Sequence, residues 1–151
     1  MRCLIAISGG IGCGKSVVAS ILRRSGYPVY DCDSEAKRLM DSSQTIKCRL
    51  AAEIHDSVIA DGRIDRRRLS ELVFSDRDKL MTLNSIVHSE VRDDIVRWVG
   101  SCGDGPLFIE TAILYQSGLD RMVDEVWEVV APMDDRIRRV MRRHGCPAAE
   151  V

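Results

Sequence analysis

Short apolar runs and helical patterns alternate at the start of the chain. Residues 3–7 are continuously apolar, which is typical of a buried strand, and a glycine-rich stretch follows them directly. Residues 16–24 then place apolar positions at helical spacing, and Gly26 stands where a glycine would end that helix. Residues 29–30 form a second short apolar run. Strand, glycine loop, helix and strand in this order predict a βαβ unit and therefore a parallel sheet.

The middle of the chain has a helical pattern over about residues 41–100. Residues 58–64 interrupt it with an Asp-Gly pair, which predicts a small hairpin. Asp65 and Ser75 stand where the N-caps of the next two helices are expected. The second of these helices carries an apolar stripe at helical spacing, made of Leu80, Leu83, Ile86, Val87, Val91, Ile95 and Trp98. We interpret the whole segment as a helical insertion and as the candidate for binding a second substrate.

Two further strands and a basic helix follow a loop predicted over residues 100–106. Residues 107–109 are apolar and end at Glu110, and residues 126–130, which are apolar except for Glu128, form another predicted strand. The last predicted helix covers about residues 134–145 and carries five arginines, Arg136, Arg138, Arg139, Arg142 and Arg143.

The glycine loop, residues 9–16, is the strongest chemical signal in the chain. It has the sequence Gly-Gly-Ile-Gly-Cys-Gly-Lys-Ser, which matches G-x-x-x-x-G-K-[ST] between a predicted strand and a predicted helix. Glycines let the backbone N–H groups surround phosphates, and the helix N-terminus adds its positive dipole end. Lys15 would neutralise the β- and γ-phosphates, and the Ser16 hydroxyl would ligate Mg²⁺. The predicted ATP-binding residues here are Gly10, Ile11, Gly12, Cys13, Gly14, Lys15, Ser16 and Val17.

These observations predict an α/β three-layer P-loop kinase fold with a parallel sheet. We expect a single domain over residues 1–151. Its core would comprise about residues 1–40 and 105–133, with the helical insertion between them and a lid helix at about 134–145.

Three carboxylates are candidates for the reaction centre. Asp31 and Asp33 follow the second strand, and the carboxyl ends of parallel strands face one crevice, so we expect them beside the glycine loop. One of them could accept a proton from an acceptor hydroxyl; the alternative is that both only cap the following helix. Glu110 ends a strand, where P-loop proteins place an acidic residue in the Mg²⁺ shell, here through water. A surface-exposed strand end is the alternative for Glu110.

The basic helix and the histidines are less specific. A P-loop kinase needs cations that close over the transferring phosphate, and one arginine near Gly145 could serve, although most charge runs are solvated faces. His88 lies within the apolar stripe, where a core histidine is the alternative to a functional one. Cys32 is predicted to be a packing residue.

The composition of the chain bears on its partners and its cellular location. The formal net charge is −1 with a pI near 6.3, which gives no basic surplus for a nucleic-acid partner. No apolar run reaches about 18 residues, so no membrane span is predicted. Six cysteines are scattered without a Cys-x-x-Cys pair, which favours reduced thiols and a cytoplasmic location.

Taken together, the motifs resemble the dephospho-coenzyme A kinase family over nearly the whole chain. The resemblance rests on an ordered set of segments: residues 9–16, the Asp-Cys-Asp at 31–33, Asp-Gly-Arg-Ile-Asp-Arg at 61–66 with Leu69 and Val-Phe at 73–74, Leu-Asn-Ser-Ile-Val-His at 83–88, Ser-Gly-Leu-Asp at 117–120 and Val-Asp-Glu-Val-Trp at 123–127.

The resemblance implies ATP-dependent phosphorylation of the ribose 3′-hydroxyl of dephospho-coenzyme A, giving coenzyme A and ADP, with Mg²⁺ accompanying ATP. It implies that Lys15 and Asp33 are catalytic. It also implies that Asp31, Asp33, Arg66 and His88 bind the acceptor and that Arg143 binds ATP from the lid helix.

The chain departs from the family pattern at three places. Ser89 stands where the family has proline after the histidine, and Gln116 stands where the family has a carboxylate. Family members also continue past position 151, which predicts that a C-terminal part is absent from this sequence.

The alternative functions are a kinase for another small metabolite, such as a nucleoside or nucleotide, and a truncated ATP-binding protein without turnover. A GTPase-like switch protein would need an Asn-Lys-x-Asp element to recognise guanine, and this sequence has none.

Overall fold

The structure, a computed structural model, describes residues 1–145 of the 151-residue chain. These residues divide into two compact units. The first comprises Met1–Asp31 and the chain from Cys102 onward, and the second comprises Cys32–Ser101. The elements follow the chain in the order β1 (Arg2–Ser8), α1 (Lys15–Arg24), β2 (Val29–Asp31), α2 (Cys32–Ser42), α3 (Gln44–Glu53), β3 (Ile59–Ala60), β4 (Arg63–Ile64), α4 (Arg66–Phe74), α5 (Arg77–Ser101), β5 (Gly105–Glu110), β6 (Glu125–Glu128) and α6 (Met133–His144). Short 3-10 turns occupy Asp56–Val58 and Leu119–Arg121.

A four-stranded sheet organises the first unit. Its order is β2-β5-β1-β6, and every pairing is parallel. The predicted parallel sheet is therefore confirmed. The central strand β1 is buried from Leu4 to Ile7, as its continuous apolar run predicts for a strand covered on both faces. The edge strand β6 is shorter than the predicted 126–130 run, and all four of its residues are exposed.

The core between the sheet and α1 is built from four buried side chains, Ile5, Ile7, Ala19 and Phe108. Ala19 is fully buried, and its small side chain lets α1 approach the sheet closely. Tyr27 and Trp127 pack their rings against Phe108 at centroid distances of 5.7 Å and 5.2 Å. This packing fixes the start of α1, and with it the glycine loop, relative to β1.

The second unit is helical with one hairpin. Its core residues include Ile46, Leu50, Val58, Ile86 and Ile95, each at most 1% exposed. The predicted hairpin is confirmed as β3 and β4. Its two turn residues both have positive φ, which is why Asp and Gly stand there.

Two predicted boundaries around α5 are wrong. Ser75 is the C-cap of α4, and its hydroxyl donates to the carbonyl oxygens of Glu71 and Leu72. The start of α5 is capped instead by the Asp76 carboxylate, which accepts the backbone N–H groups of Asp78 and Lys79 at 3.0 Å and 3.3 Å. At its other end α5 continues through Ser101, past the predicted loop start. No helix within residues 1–145 is both long and apolar enough to cross a membrane.

Candidate active site

The glycine loop connects β1 to α1 and has the backbone that its glycines permit. Gly9, Gly12 and Gly14 adopt φ values of 150°, 74° and 101°, which residues with a Cβ disfavour. Gly14 is also the N-cap of α1, whose first turn contains no acidic residue. The positive end of the helix dipole therefore opens onto the loop without a competing carboxylate, as an anion site requires.

Lys15 spans the glycine loop. Its Nζ donates to the carbonyl oxygens of Gly9 and Gly10 at 2.6 Å and 3.2 Å and lies 3.8 Å from the Cys13 Sγ. Cys13 is buried, and a Cβ on Gly9 would come within 2.7 Å of its sulfur. The cysteine side chain thus fills the interior of the loop, while the lysine ammonium is held at the loop. Ser16 follows Lys15 in the first turn of α1 and is exposed.

Helix α6 packs on the same loop. Arg136 donates from Nε to the Ile11 carbonyl oxygen at 2.9 Å, and Arg139 donates from Nη1 to the Gly12 carbonyl oxygen at 3.2 Å. Val140, on the same helix face, is buried.

Sequence alone did not distinguish Arg136 and Arg139 from the other arginines of this helix. The available signal was their spacing with Val140, which places all three on one face of the helix. Arg143, the arginine expected at ATP, is exposed in the last turn of α6, and its role stays a prediction.

Two carboxylates end neighbouring strands beside the glycine loop. Asp31 and Glu110 are register partners at the carboxyl ends of β2 and β5, and Glu110 is also paired with Ile7 of β1, two residues before the loop begins. The Glu110 side chain is 14% exposed and lies 4.0 Å from the Arg23 guanidinium, so the alternative of an exposed strand end is wrong.

The sequence predicts that the Ser16 hydroxyl and the Glu110 carboxylate take part in holding Mg²⁺. Within residues 1–145 no three His, Cys, Asp or Glu side chains cluster closely enough to hold a metal ion by themselves. Mg²⁺ usually binds through one or two protein groups together with substrate phosphates, so a site without such a cluster is compatible with that ion. The roles of Ser16 and Glu110 toward Mg²⁺ stay predictions.

The remaining predicted site residues belong to the second unit. Asp33 lies exposed in the first turn of α2, which begins directly after Asp31. Arg66 begins α4 and forms an exposed ion pair with Asp41 at 2.7 Å. Cys32 is buried, as predicted for a packing residue.

His88 lies near the middle of α5 and is only partly buried, so it is not a core histidine. Desolvation lowers its pKa below the usual 6.5, and the positive charge of Arg92 lowers it further. The imidazole is therefore neutral at pH 7.

The comparisons with known proteins agree on one family. The family model described as dephospho-CoA kinase matches residues 3–151. A relative named dephospho-CoA kinase in Porphyromonas gingivalis is 42% identical over 144 residues, which cover 95% of this chain and 71% of the relative. A relative of the same name in Thermus thermophilus is 38% identical, and the match covers 98% of this chain and 71% of that relative.

Solved structures support the same fold. A crystal structure from Thermus thermophilus superposes with a TM-score of 0.79 at 36% identity, covering 99% of this chain and 76% of that one. A dephospho-CoA kinase from Campylobacter jejuni superposes with a TM-score of 0.66 at 20% identity, covering 99% of this chain and 77% of that one. The sequence match, the parallel sheet and the glycine loop lead to one conclusion: the chain belongs to the dephospho-CoA kinase family.

Proposed function

We propose that this protein transfers the γ-phosphoryl group of ATP to the ribose 3′-hydroxyl of dephospho-coenzyme A, giving coenzyme A and ADP. The observation that carries the proposal is the glycine loop of a dephospho-CoA kinase family member, with Lys15 held at the loop and the positive end of α1 opening onto it. Phosphoryl transfer depends mainly on positioning and charge neutralisation, and this loop supplies both.

The ATP side of the reaction uses residues of the first unit. On nucleotide binding, the Lys15 ammonium exchanges its loop carbonyls for phosphate oxygens, and backbone N–H groups of the loop donate to the same phosphates. Mg²⁺, held by Ser16 and through water by Glu110, would neutralise charge on the β- and γ-phosphates.

The acceptor side uses Asp31, Asp33, Arg66 and His88, the residues that match the family motifs for it. Asp33 accepts the proton of the 3′-hydroxyl while the oxygen–phosphorus bond to the acceptor forms and the bond between the γ-phosphorus and the bridging oxygen of ADP breaks. Asp33 is exposed, so an acceptor hydroxyl can reach its carboxylate.

Arg66 and His88 suit different parts of the acceptor. An exposed ion pair such as Arg66–Asp41 contributes about 0–1 kcal/mol, so a phosphate group of the acceptor can replace Asp41 at little cost. His88, neutral because its pKa is lowered, offers one donor and one acceptor atom to a hydroxyl or amide rather than a charge to a phosphate.

A cytoplasmic location is part of the proposal. All five cysteines within the described residues are free, which is the state that a reducing compartment maintains.

A coupled ADP-release assay tests the function. We expect ADP release with dephospho-coenzyme A and none with coenzyme A, whose 3′-position is already phosphorylated. A panel of nucleosides and nucleoside monophosphates separates the other kinases, because a preferred acceptor among them would contradict the proposal. ATP-induced thermal stabilisation without ADP release would identify a nucleotide-binding protein that lacks turnover.

A further inference from the structure

We infer that Arg136 is a positioning residue for the nucleotide, acting through the backbone of the glycine loop. This inference rests on the proposed use of that loop for ATP. Arg136 lies on α6 and donates from Nε to the carbonyl oxygen of Ile11 at 2.9 Å, a contact between residues 125 positions apart in sequence.

The contact fixes the orientation of one peptide unit. The peptide between Ile11 and Gly12 is trans, so its C=O and N–H point in opposite directions. Because Arg136 holds the carbonyl oxygen on the α6 side, the N–H of Gly12 is turned to the other side of the loop. An anion-binding loop depends on such fixed N–H directions, since a peptide that rotates freely presents its oxygen to the phosphates for part of the time.

Arg139 strengthens the same arrangement one peptide further along. It donates to the Gly12 carbonyl oxygen at 3.2 Å, and Val140 packs against the Gly12 backbone, where an added Cβ would be 3.1 Å from Cγ2. Two consecutive loop carbonyls are therefore held by two arginines from one helix face.

The Arg136 guanidinium occupies the space that a side chain on Gly10 would enter. A Cβ built on Gly10 would lie 2.1 Å from Nη2 and 3.0 Å from Cζ of Arg136. The contact with Ile11 uses one of five guanidinium donors, so the terminal nitrogens place a full positive charge beside Gly10. Gly10 is exposed, so this charge lies at the surface of the loop.

Arg138 is a matched control on the same helix. It is 71% exposed, pairs with Asp135 at 3.2 Å and donates to the Asp134 carbonyl oxygen, both of which lie within α6. Arg136→Gln and Arg138→Gln remove the same charge from positions two residues apart on one helix and differ in contact with the glycine loop.

Calorimetric binding of ATP, inorganic tripolyphosphate and adenosine to the 151-residue chain tests the inference. We expect Arg136→Gln to raise the dissociation constants of ATP and tripolyphosphate about tenfold, the effect of losing one hydrogen bond donated by a charged group. The KM for dephospho-coenzyme A and the affinity for adenosine should stay within twofold, and Arg138→Gln should leave every value within twofold. Unchanged tripolyphosphate binding in Arg136→Gln, or an equal loss of adenosine binding, would overturn the inference.

The Gly10→Ala variant provides a second, independent test of the inference. Its methyl group would displace the Arg136 guanidinium, the far end of a flexible side chain, so Gly10→Ala should weaken tripolyphosphate binding about as much as Arg136→Gln does. The double variant should then bind no more weakly than Arg136→Gln alone, whereas two independent effects would multiply. If the inference holds but the proposed function fails, nucleotide affinity will still depend on Arg136 while dephospho-coenzyme A elicits no ADP release.

Discussion

Lys15→Met should separate the catalytic charge of Lys15 from its structural role. Methionine keeps most of the apolar stem and removes the ammonium, which holds the carbonyl oxygens of Gly9 and Gly10. One unit charge about 4 Å from another contributes about 4 kcal/mol at an effective dielectric constant of 20. Since about 1.4 kcal/mol corresponds to a factor of ten in rate, we expect kcat to fall by roughly three orders of magnitude.

The fold should tolerate the same change. Gly10 is exposed and Gly9 partly so, which lets water replace the lost hydrogen bonds to their carbonyl oxygens. The net cost should be about 1 kcal/mol, and a chain of this size would lose about 2–4 °C in Tm.

The measurements are coupled ADP release for kcat and thermal unfolding for Tm. Arg24→Met is the control, because it removes one positive charge from the last turn of the same helix, about 13 Å from Lys15 by helix geometry. If Lys15→Met kept more than a tenth of the wild-type kcat, the assignment of a catalytic role to the Lys15 charge would be refuted. A loss of Tm above about 10 °C would instead show that Lys15 mainly supports the fold.

Three further predictions concern other elements. Asp33→Asn should lower kcat by about 10²–10⁴-fold with the KM for ATP unchanged; an unchanged kcat in steady-state assays would return Asp33 to helix capping. Asp76→Ala should lower the free energy of unfolding in urea by about 1 kcal/mol because it removes the N-cap of α5, whereas Asp78→Ala should cost less. His88 should titrate below 6.5 by NMR. Because its folded pKa is lowered, its contribution to stability is present above the unfolded pKa and is lost as pH falls from about 6.5 toward the folded value; His88→Gln should remove that pH dependence.

The sequence predicted the parts of the fold that depend on local pattern. The apolar run of β1, the helical spacing of α1 and the Asp-Gly turn of the hairpin each specify an element from adjacent residues. The N-cap of α5 was misplaced because Ser75 and Asp76 are both good capping residues. Only the three-dimensional path of the backbone shows that the carboxylate of Asp76 reaches the N–H groups of α5.

In the candidate site, too, the features encoded by adjacent residues could be predicted and those that join distant residues could not. The glycine loop could be predicted because one contiguous motif encodes its backbone, its lysine and the helix that follows. The register between Asp31 and Glu110 depends on β5 lying between β2 and β1, and strand order is not written in either strand. The contacts of Arg136 and Arg139 with the loop likewise join residues far apart in sequence. The sequence therefore shows that the helix is rich in arginine but not which arginines contact the loop.

The strand order has a consequence for the synthesis of the protein. Strand β1 is made first but pairs only with β5 and β6, and the Leu4 N–H is bonded to the Asp124 carboxylate 120 positions later. The ribosome therefore completes the whole helical unit, Cys32–Ser101, before either partner of β1 exists. During that interval four residues that are buried in the folded protein, Leu4 to Ile7, have no sheet to join. Closing so long a loop slows folding, and the nascent chain exposes an unpaired apolar strand meanwhile, which is the kind of segment that chaperones bind.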